Sequence, residues 1–129
     1  MSNEIVLKEL QGDYDISYQS TPILDNWYEV GIGAAKIEGT RLRGLDGAGI
    51  SWDANLKIVE NNLLEFQATL DPTNAPPNAA LMGSDGILTR SKQNYEGVLK
   101  LTNSNGKIIL RTTIKRGPLT IEVQLLKRS

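Results

Sequence analysis

Apolar and polar residues alternate along most of this chain, so that every second side chain is large and apolar. The segment from Ile50 to Ile58 alternates over nine positions, and shorter stretches around Tyr14, Phe66 and Leu110 repeat the pattern. A period of two places alternate side chains on one face of a β-strand, whereas an amphipathic helix requires apolar spacings of three and four. The pattern therefore predicts an all-β chain.

Turn-forming residues separate the alternating segments at intervals of about 8–12 residues. Asp46-Gly47 and Asn105-Gly106 tolerate the positive φ angles of tight hairpins. A strand meander of this size hides its edges most completely by closing. We therefore predict an antiparallel up-and-down β-barrel of about eight to nine strands. The predicted strands are 12–19, 27–38, 40–45, 49–59, 63–71, 86–91, 94–102, 107–116 and 119–128.

Two segments interrupt the alternation. In residues 3–10, Val6 and Leu10 are four positions apart behind a capping Ser2 or Asn3, which predicts a short N-terminal helical turn. Residues 71–78 contain three prolines, which remove strand hydrogen-bond donors and predict one long loop. Residues 1–129 show no fixed repeat and no linker, so we expect a single β-barrel domain.

The predicted barrel interior is largely aliphatic. Alternation places the following side chains inside: Ile16, Trp52, Leu56, Phe66, Leu70, Leu110 and Ile121. An eight-stranded barrel can be filled by its own side chains or can hold one small ligand, and the pattern leaves both alternatives open. The second alternative requires an apolar pocket of about 300 Å³ or more, lined by Trp27, Trp52 or Phe66.

Composition restricts the chemistry. The chain has no histidine and no cysteine, which excludes Ser-His-Asp and Cys-His catalysis, disulfides, and metal sites built from thiolates or imidazoles. We expect no metal or other cofactor. An enzyme on this scaffold would pair a tyrosine with a buried acid, for which Glu29 and Asp53 are candidates. No spacing connects such residues, so catalysis is an alternative rather than the main prediction.

The first residues predict no export signal, and no apolar run predicts a membrane helix. Met1 to Glu4 carry an acid where an export signal carries bases, and no apolar run approaches the roughly 18 residues of a membrane helix. We therefore expect a cytoplasmic protein without a membrane span.

Charge is divided unevenly along the chain. Residues 1–65 carry five bases against eleven acids, a net of −6, and residues 66–129 carry nine bases against four acids, a net of +5. Lys107, Arg111 and Lys115 form a basic stripe on the outer face of one predicted strand. The stripe lacks interleaved aromatics, so we expect it to balance the acidic half or to mediate self-association, and not to bind nucleic acid.

Three apolar residues lie on faces that alternation assigns to the outside. They are Val98, Ile109 and Leu126, each flanked by charged or polar residues on its strand. If their strands are adjacent, an apolar centre with a polar rim would suit a homodimer interface through the C-terminal sheet. A self-assembling or protein-interaction module is thus a second functional alternative.

The two ends of the chain carry a family resemblance. Leu10-Gln11-Gly12-Asp13-Tyr14 resembles the Gly-x-Trp opening of calycin-type barrels, the lipocalins and their relatives, with Tyr14 in the tryptophan position. The final Lys127-Arg128 is similar to the late basic residue that packs across that aromatic in lipocalins. This resemblance implies a barrel with a lipophilic cavity.

Patterning and resemblance together predict a non-catalytic module that binds a small apolar or amphipathic ligand. The predicted ligand-binding residues are Tyr14, Trp27, Trp52 and Phe66. Trp27 follows the turn-prone segment from Pro22 to Asn26, which places it near a barrel mouth. There its indole can stack on a ligand, or it can close the barrel end by packing.

Overall fold

A computed structural model describes residues 7–21, 31–60, 62–77, 80–82, 85, 87–116 and 119–128. In these residues, one short helix, α1, precedes ten strands. The elements are α1 Leu7–Leu10, β1 Gly12–Thr21, β2 Gly31–Glu38, β3 Arg41–Asp46, β4 Ser51–Glu60, β5 Leu63–Asp71, β6 Leu81–Met82, β7 Leu88–Thr89, β8 Gln93–Ser104, β9 Lys107–Arg116 and β10 Leu119–Lys127.

Eight of these strands form a closed antiparallel barrel in the order β1-β10-β9-β8-β5-β4-β3-β2, with β2 returning to β1. Neighbouring strands are consecutive in the barrel except at β5–β8 and at the β1–β10 closure. The predicted all-β barrel with an N-terminal helical turn is thereby confirmed. At the β8–β9 turn, Asn105 and Gly106 both have positive φ angles (54° and 80°), as the Asn-Gly pair predicts.

The segment 86–91 was predicted as a strand of the meander, and the structure differs there. Of its described residues, 87–91, only Leu88–Thr89 form a strand, and this strand pairs with Leu81–Met82 in a separate two-stranded sheet. Both lie within the β5–β8 connection, which contains the proline-rich loop. Residues 27–30, the first part of the predicted strand 27–38, lie outside the described residues. The strand β2 begins at Gly31.

The barrel core follows the predicted inward positions. Ile16, Leu56, Phe66 and Leu110 are buried. The other three, Trp52, Leu70 and Ile121, are partly buried because they face an internal cavity described below.

One end of the barrel is closed by the helical turn. Leu10 is completely buried, and the Tyr14 hydroxyl donates a 2.8 Å hydrogen bond to the Leu10 carbonyl oxygen. Gln11 joins α1 to the β2–β3 turn, since its side chain donates to the Gly39 carbonyl and accepts from the Gly39 amide. Tyr14 pairs in register with Lys127, whose ammonium group donates to the Glu9 carbonyl oxygen.

The outer face of β8, β9 and β10 carries the apolar residues that the sequence assigned to the outside. Ile109 lies directly opposite Leu126, and both are partly buried. Val98 is 44% exposed but is not contiguous with them, because the paired residues Lys100 and Arg111 lie between. Two of the three residues therefore form a neighbouring pair, and the expected three-residue patch is divided.

Tyr14→Phe tests the closed end. The variant removes the hydrogen bond to a buried carbonyl oxygen, so we expect the free energy of unfolding to fall by about 1–2 kcal/mol in urea titrations near pH 7. An unchanged urea midpoint would show that this bond does not hold α1 on the barrel.

Tyr14 also makes the free energy of unfolding depend on pH. Burial raises the pKa of Tyr14 to about 12 from its ordinary 10.0, so the folded state retains this proton more strongly than the unfolded state. The resulting stabilisation is complete below pH 10 and is lost as the pH rises through 12, by up to about 1.4 kcal/mol per pH unit. Tyr14→Phe should lose less stability than wild type between pH 9.5 and 12, and parallel losses would contradict this.

Candidate functional site: a cavity inside the barrel

The barrel encloses an apolar cavity of about 460 Å³ that lies between the core and the β3–β4 turn. Its volume lies within the range of about 300–1,000 Å³ that small-molecule sites occupy. Aliphatic side chains form most of its wall, among them Leu42, Leu56, Leu70, Leu99, Ile114, Ile121 and Leu125. Tyr18, Trp52, Phe66 and Tyr95 supply aromatic wall.

The interior is hollow because large and small inward residues face each other across neighbouring strands. Three aromatic lining residues lie opposite glycines in register: Tyr18 opposite Gly31, Trp52 opposite Gly44, and Phe66 opposite Gly97. Inward alanines at 35, 54 and 68 continue this pattern. Small inward residues remove side-chain volume that would otherwise fill an eight-stranded barrel.

Two of these glycines leave space that an aromatic ring occupies. A Cβ atom at Gly31 would overlap the Tyr18 ring, and one at Gly97 would lie 3.1 Å from Cε2 of Phe66. Each ring therefore lies against the backbone of the adjacent strand. Because the rings lie along the wall, the centre of the barrel between the core and the β3–β4 turn remains open.

Asp46 places a carboxylate at the wall of this apolar cavity. It is the last residue of β3 and is only 5% exposed. Its Oδ1 accepts hydrogen bonds from the amides of Ala48 and Ile50, each at 3.0 Å. Its Oδ2 accepts from the indole N–H of Trp52 at 3.0 Å and makes a longer 3.5 Å contact with the Tyr18 hydroxyl.

These contacts give Asp46 two roles. The bonds to Ala48 and Ile50 fix the β3–β4 turn, and the bond from Trp52 orients the indole in the cavity wall. All of the contacts are donated to the carboxyl group, which is the pattern that an ionised carboxylate accepts. The Tyr18 and Trp52 rings also contact each other, with centroids 5.8 Å apart and planes tilted by 43°.

A second apolar cluster lies at the mouth of the cavity. Ile50, Ala75 and Leu81 are buried together, and Trp52 and Leu70 pack against them from the barrel. Ala75 and Leu81 belong to the β5–β8 connection, so the loop predicted from the prolines crosses this end of the barrel. Arg90 secures it by donating to the carbonyl oxygens of Pro76 at 2.7 Å and Ala75 at 3.1 Å.

The structure brings two of the four predicted ligand-binding residues together. Trp52 and Phe66 both line the cavity. Tyr14 is not among the lining residues, because it is fully buried at the closed end with its hydroxyl bonded to Leu10. Trp27 lies outside the described residues.

The acids named for a catalytic alternative lie elsewhere. Asp53 is on the outer face, where Arg41 donates to both carboxylate oxygens at 2.9 and 2.7 Å. This hydrogen bonding lowers the pKa of Asp53 and raises that of Arg41, and burial opposes both shifts. Glu29 lies outside the described residues.

Sequence reasoning missed Asp46 as a cavity residue. It read Asp46-Gly47 as a hairpin signal, which is correct for the turn. A second signal was present, because Asp46 has the same strand parity as the inward residues Leu42 and Gly44. A charged residue at an inward position predicts either a buried hydrogen-bond network or a binding group.

The fold and cavity define a closed, eight-stranded antiparallel β-barrel with a hollow interior. Neither a protein-family model nor a curated protein sequence matches the chain. In the part of the chain that the structure describes, no helix has both the length and the apolar character needed to cross a membrane.

Gly33→Ala tests how Asp46 is held. A Cβ atom at Gly33 would lie 2.6 Å from Cα of Asp46 and 2.7 Å from the carbonyl oxygen of Leu45, so β3 would have to move. We expect a loss of about 1–3 kcal/mol in unfolding free energy and a shift in tryptophan emission. Ala34→Val, which adds volume at the exposed neighbouring position, serves as the control and should change neither. Equal behaviour of the two variants would contradict the close approach at Gly33.

Proposed function

We propose that this protein is a non-catalytic binding module whose barrel cavity takes a small apolar or amphipathic ligand. The observation that carries the proposal is the cavity of about 460 Å³, walled by aliphatic and aromatic side chains. A barrel of this size needs no such hollow for stability, since side chains can fill an eight-stranded interior completely. The small inward residues opposite aromatic ones are the specific feature that keeps it open.

A lipocalin-like character is part of this proposal. Three features support it: the closed eight-stranded barrel, the helical turn at one end, and the pairing of Tyr14 with the late basic residue Lys127. The arrangement puts the closed end opposite the cavity mouth. A ligand would therefore enter between the β3–β4 turn and the β5–β8 connection.

Binding explains the cavity carboxylate better than catalysis does. Asp46 lies beside the Tyr18 hydroxyl, which is the pairing that a His-independent barrel enzyme would require. Three closer donors, however, already engage both of its oxygens. A carboxylate fixed in this way can serve a ligand as a stationary hydrogen-bond acceptor without the proton transfer that catalysis would require.

Ligand titration tests the proposal directly. In a Trp27→Phe background the remaining tryptophan, Trp52, reports from the cavity wall. We expect a saturable change in its emission with at least one class among alkanols, alkylamines, fatty acids and neutral aromatic dyes. The absence of a saturable change with every class would overturn the proposal.

A cavity-filling variant separates interior from surface binding. Ala68 lines the cavity between Ala54 and Tyr95 in register, so Ala68→Phe should occupy the hollow and weaken binding by about tenfold or more. Gln67→Phe adds the same side chain to the exposed face of the same strand and should leave binding unchanged. If Ala68→Phe folds and binds like wild type, the ligand does not occupy the barrel.

Self-association through the outer face of β8–β10 is a second candidate function. It is favoured by the neighbouring pair of Ile109 and Leu126, which forms an apolar centre. The surrounding rim is polar: Arg111 donates to Gln124 at 3.0 Å, and Arg128 pairs with Asp15 at 2.6 Å. A two-fold dimer would cover this centre and leave the rim hydrated.

Analytical ultracentrifugation tests the dimer. We expect wild type to sediment above the 14.2 kDa of one chain, and Ile109→Glu to sediment as a folded monomer because it places a charge in the apolar centre. Val98→Glu adds the same charge outside the pair and should keep the wild-type mass. Wild type that sediments as a monomer at high micromolar concentration would end this idea.

A further inference from the structure

The charge of Asp46 has no cationic partner in the described part of the chain. The ion pairs found there join Lys36 to Glu38, Arg41 to Asp53, Lys92 to Asp71 and Arg128 to Asp15. No lysine or arginine is among the described residues that line the cavity. Among the described residues, a carboxylate that is 5% exposed in an apolar wall is therefore stabilised by hydrogen bonds without a compensating positive charge.

Oδ2 of Asp46 still has capacity for a ligand. An ionised carboxylate offers about four acceptor positions over its two oxygens. Oδ1 receives two backbone amides at 3.0 Å, whereas Oδ2 receives one close donor, the Trp52 indole, and the Tyr18 hydroxyl only at 3.5 Å. A strong donor from a ligand can displace the weak contact and add to the indole bond.

Ser20 supplies an independent polar atom in the same cavity. It is 2% exposed, it lines the cavity from β1, and its hydroxyl oxygen has no hydrogen-bond partner in the described structure. A buried hydroxyl without a partner is costly unless something else bonds to it. Because Ser20 follows Tyr18 on the inward face of β1, it lies toward the mouth, as Asp46 does at the end of β3.

We propose that the cavity selects amphiphiles with a protonated amine head, which the Asp46 carboxylate receives near the mouth while the apolar body extends toward the core. The proposal deepens the binding function above and rests on it. A charged amine forms a short, charge-assisted hydrogen bond with Oδ2 and supplies the missing positive charge. A carboxylate head on a chain of the same length meets a like charge. An alcohol head donates a hydrogen bond to Asp46 but brings no positive charge.

Three probes of equal chain length test the head-group preference: decylamine, 1-decanol and decanoate at pH 7. Dissociation constants come from Trp52 emission in the Trp27→Phe background and from calorimetry. We expect decylamine to bind about tenfold more tightly than decanol, with decanoate weakest. If decanol or decanoate binds as tightly as decylamine, the amine selectivity is wrong and the binding function stands. If none of the probes or the other ligand classes binds, the binding function itself fails.

Asp46→Asn tests the origin of the preference. It keeps a side-chain oxygen for the turn amides and removes the charge, so the advantage of decylamine over decanol should fall to within about threefold while decanol binding is retained. Asp53→Asn changes net charge equally but on the outer face, and should leave the advantage intact. Equal selectivity in wild type and a folded Asp46→Asn would overturn the assignment of Asp46. If Asp46→Asn does not fold, the wild-type probe ranking decides.

Ser20→Ala tests the second polar atom. The substitution removes no hydrogen bond found in the described structure, so we expect it to fold normally. Decylamine should bind about threefold more weakly if the Ser20 hydroxyl contacts the head group. Unchanged decylamine binding would remove Ser20 from the site.

Discussion

Closure of the sheet on itself is the constraint on which the rest of this structure depends. β1 pairs with β10 on one side and with β2 on the other, so that none of the eight barrel strands keeps a free edge. Closure then fixes which side chains must share the enclosed volume. Since alternate residues point inward on every strand, the size of those residues decides whether the volume is filled or open.

The two ends of the barrel use that volume differently. Toward α1, large aliphatic and aromatic residues such as Leu10, Tyr14 and Leu64 are completely buried. Toward the β3–β4 turn, inward glycines and alanines replace them, and the hollow begins. The buried hydrogen bond of Tyr14 and the cavity-wall carboxylate of Asp46 accordingly lie in opposite halves of the barrel.

Alternation was sufficient to predict the barrel because each strand carries its own inward face, and Ile16, Leu56 and Leu110 are buried as expected. It failed at 86–91, where Ile87 is 65% exposed and the short strand β7 pairs outside the barrel. The alternation of a few residues in a long connection does not indicate which strand they pair with.

The cavity was less accessible to sequence reasoning than the fold. Gly97 becomes informative only when it is known to lie opposite Phe66, and that register joins strands separated by a long connection. Asp46 has a local explanation as a turn residue, which concealed its inward position. Tyr14 was predicted to bind the ligand, whereas it is buried at the closed end of the barrel, where its hydroxyl donates to the Leu10 carbonyl oxygen.

The small apolar cluster at the mouth has a consequence for how the molecule opens. Ile50, Ala75 and Leu81 form a unit apart from the main core. Among the described residues, only Trp52 and Leu70 pack against both clusters. A unit with so few buried side chains opens at a lower free energy than the barrel does, so its amides should exchange with deuterated solvent by local rather than global unfolding. Opening of this unit would give access to the interior without any loss of pairing among the eight barrel strands.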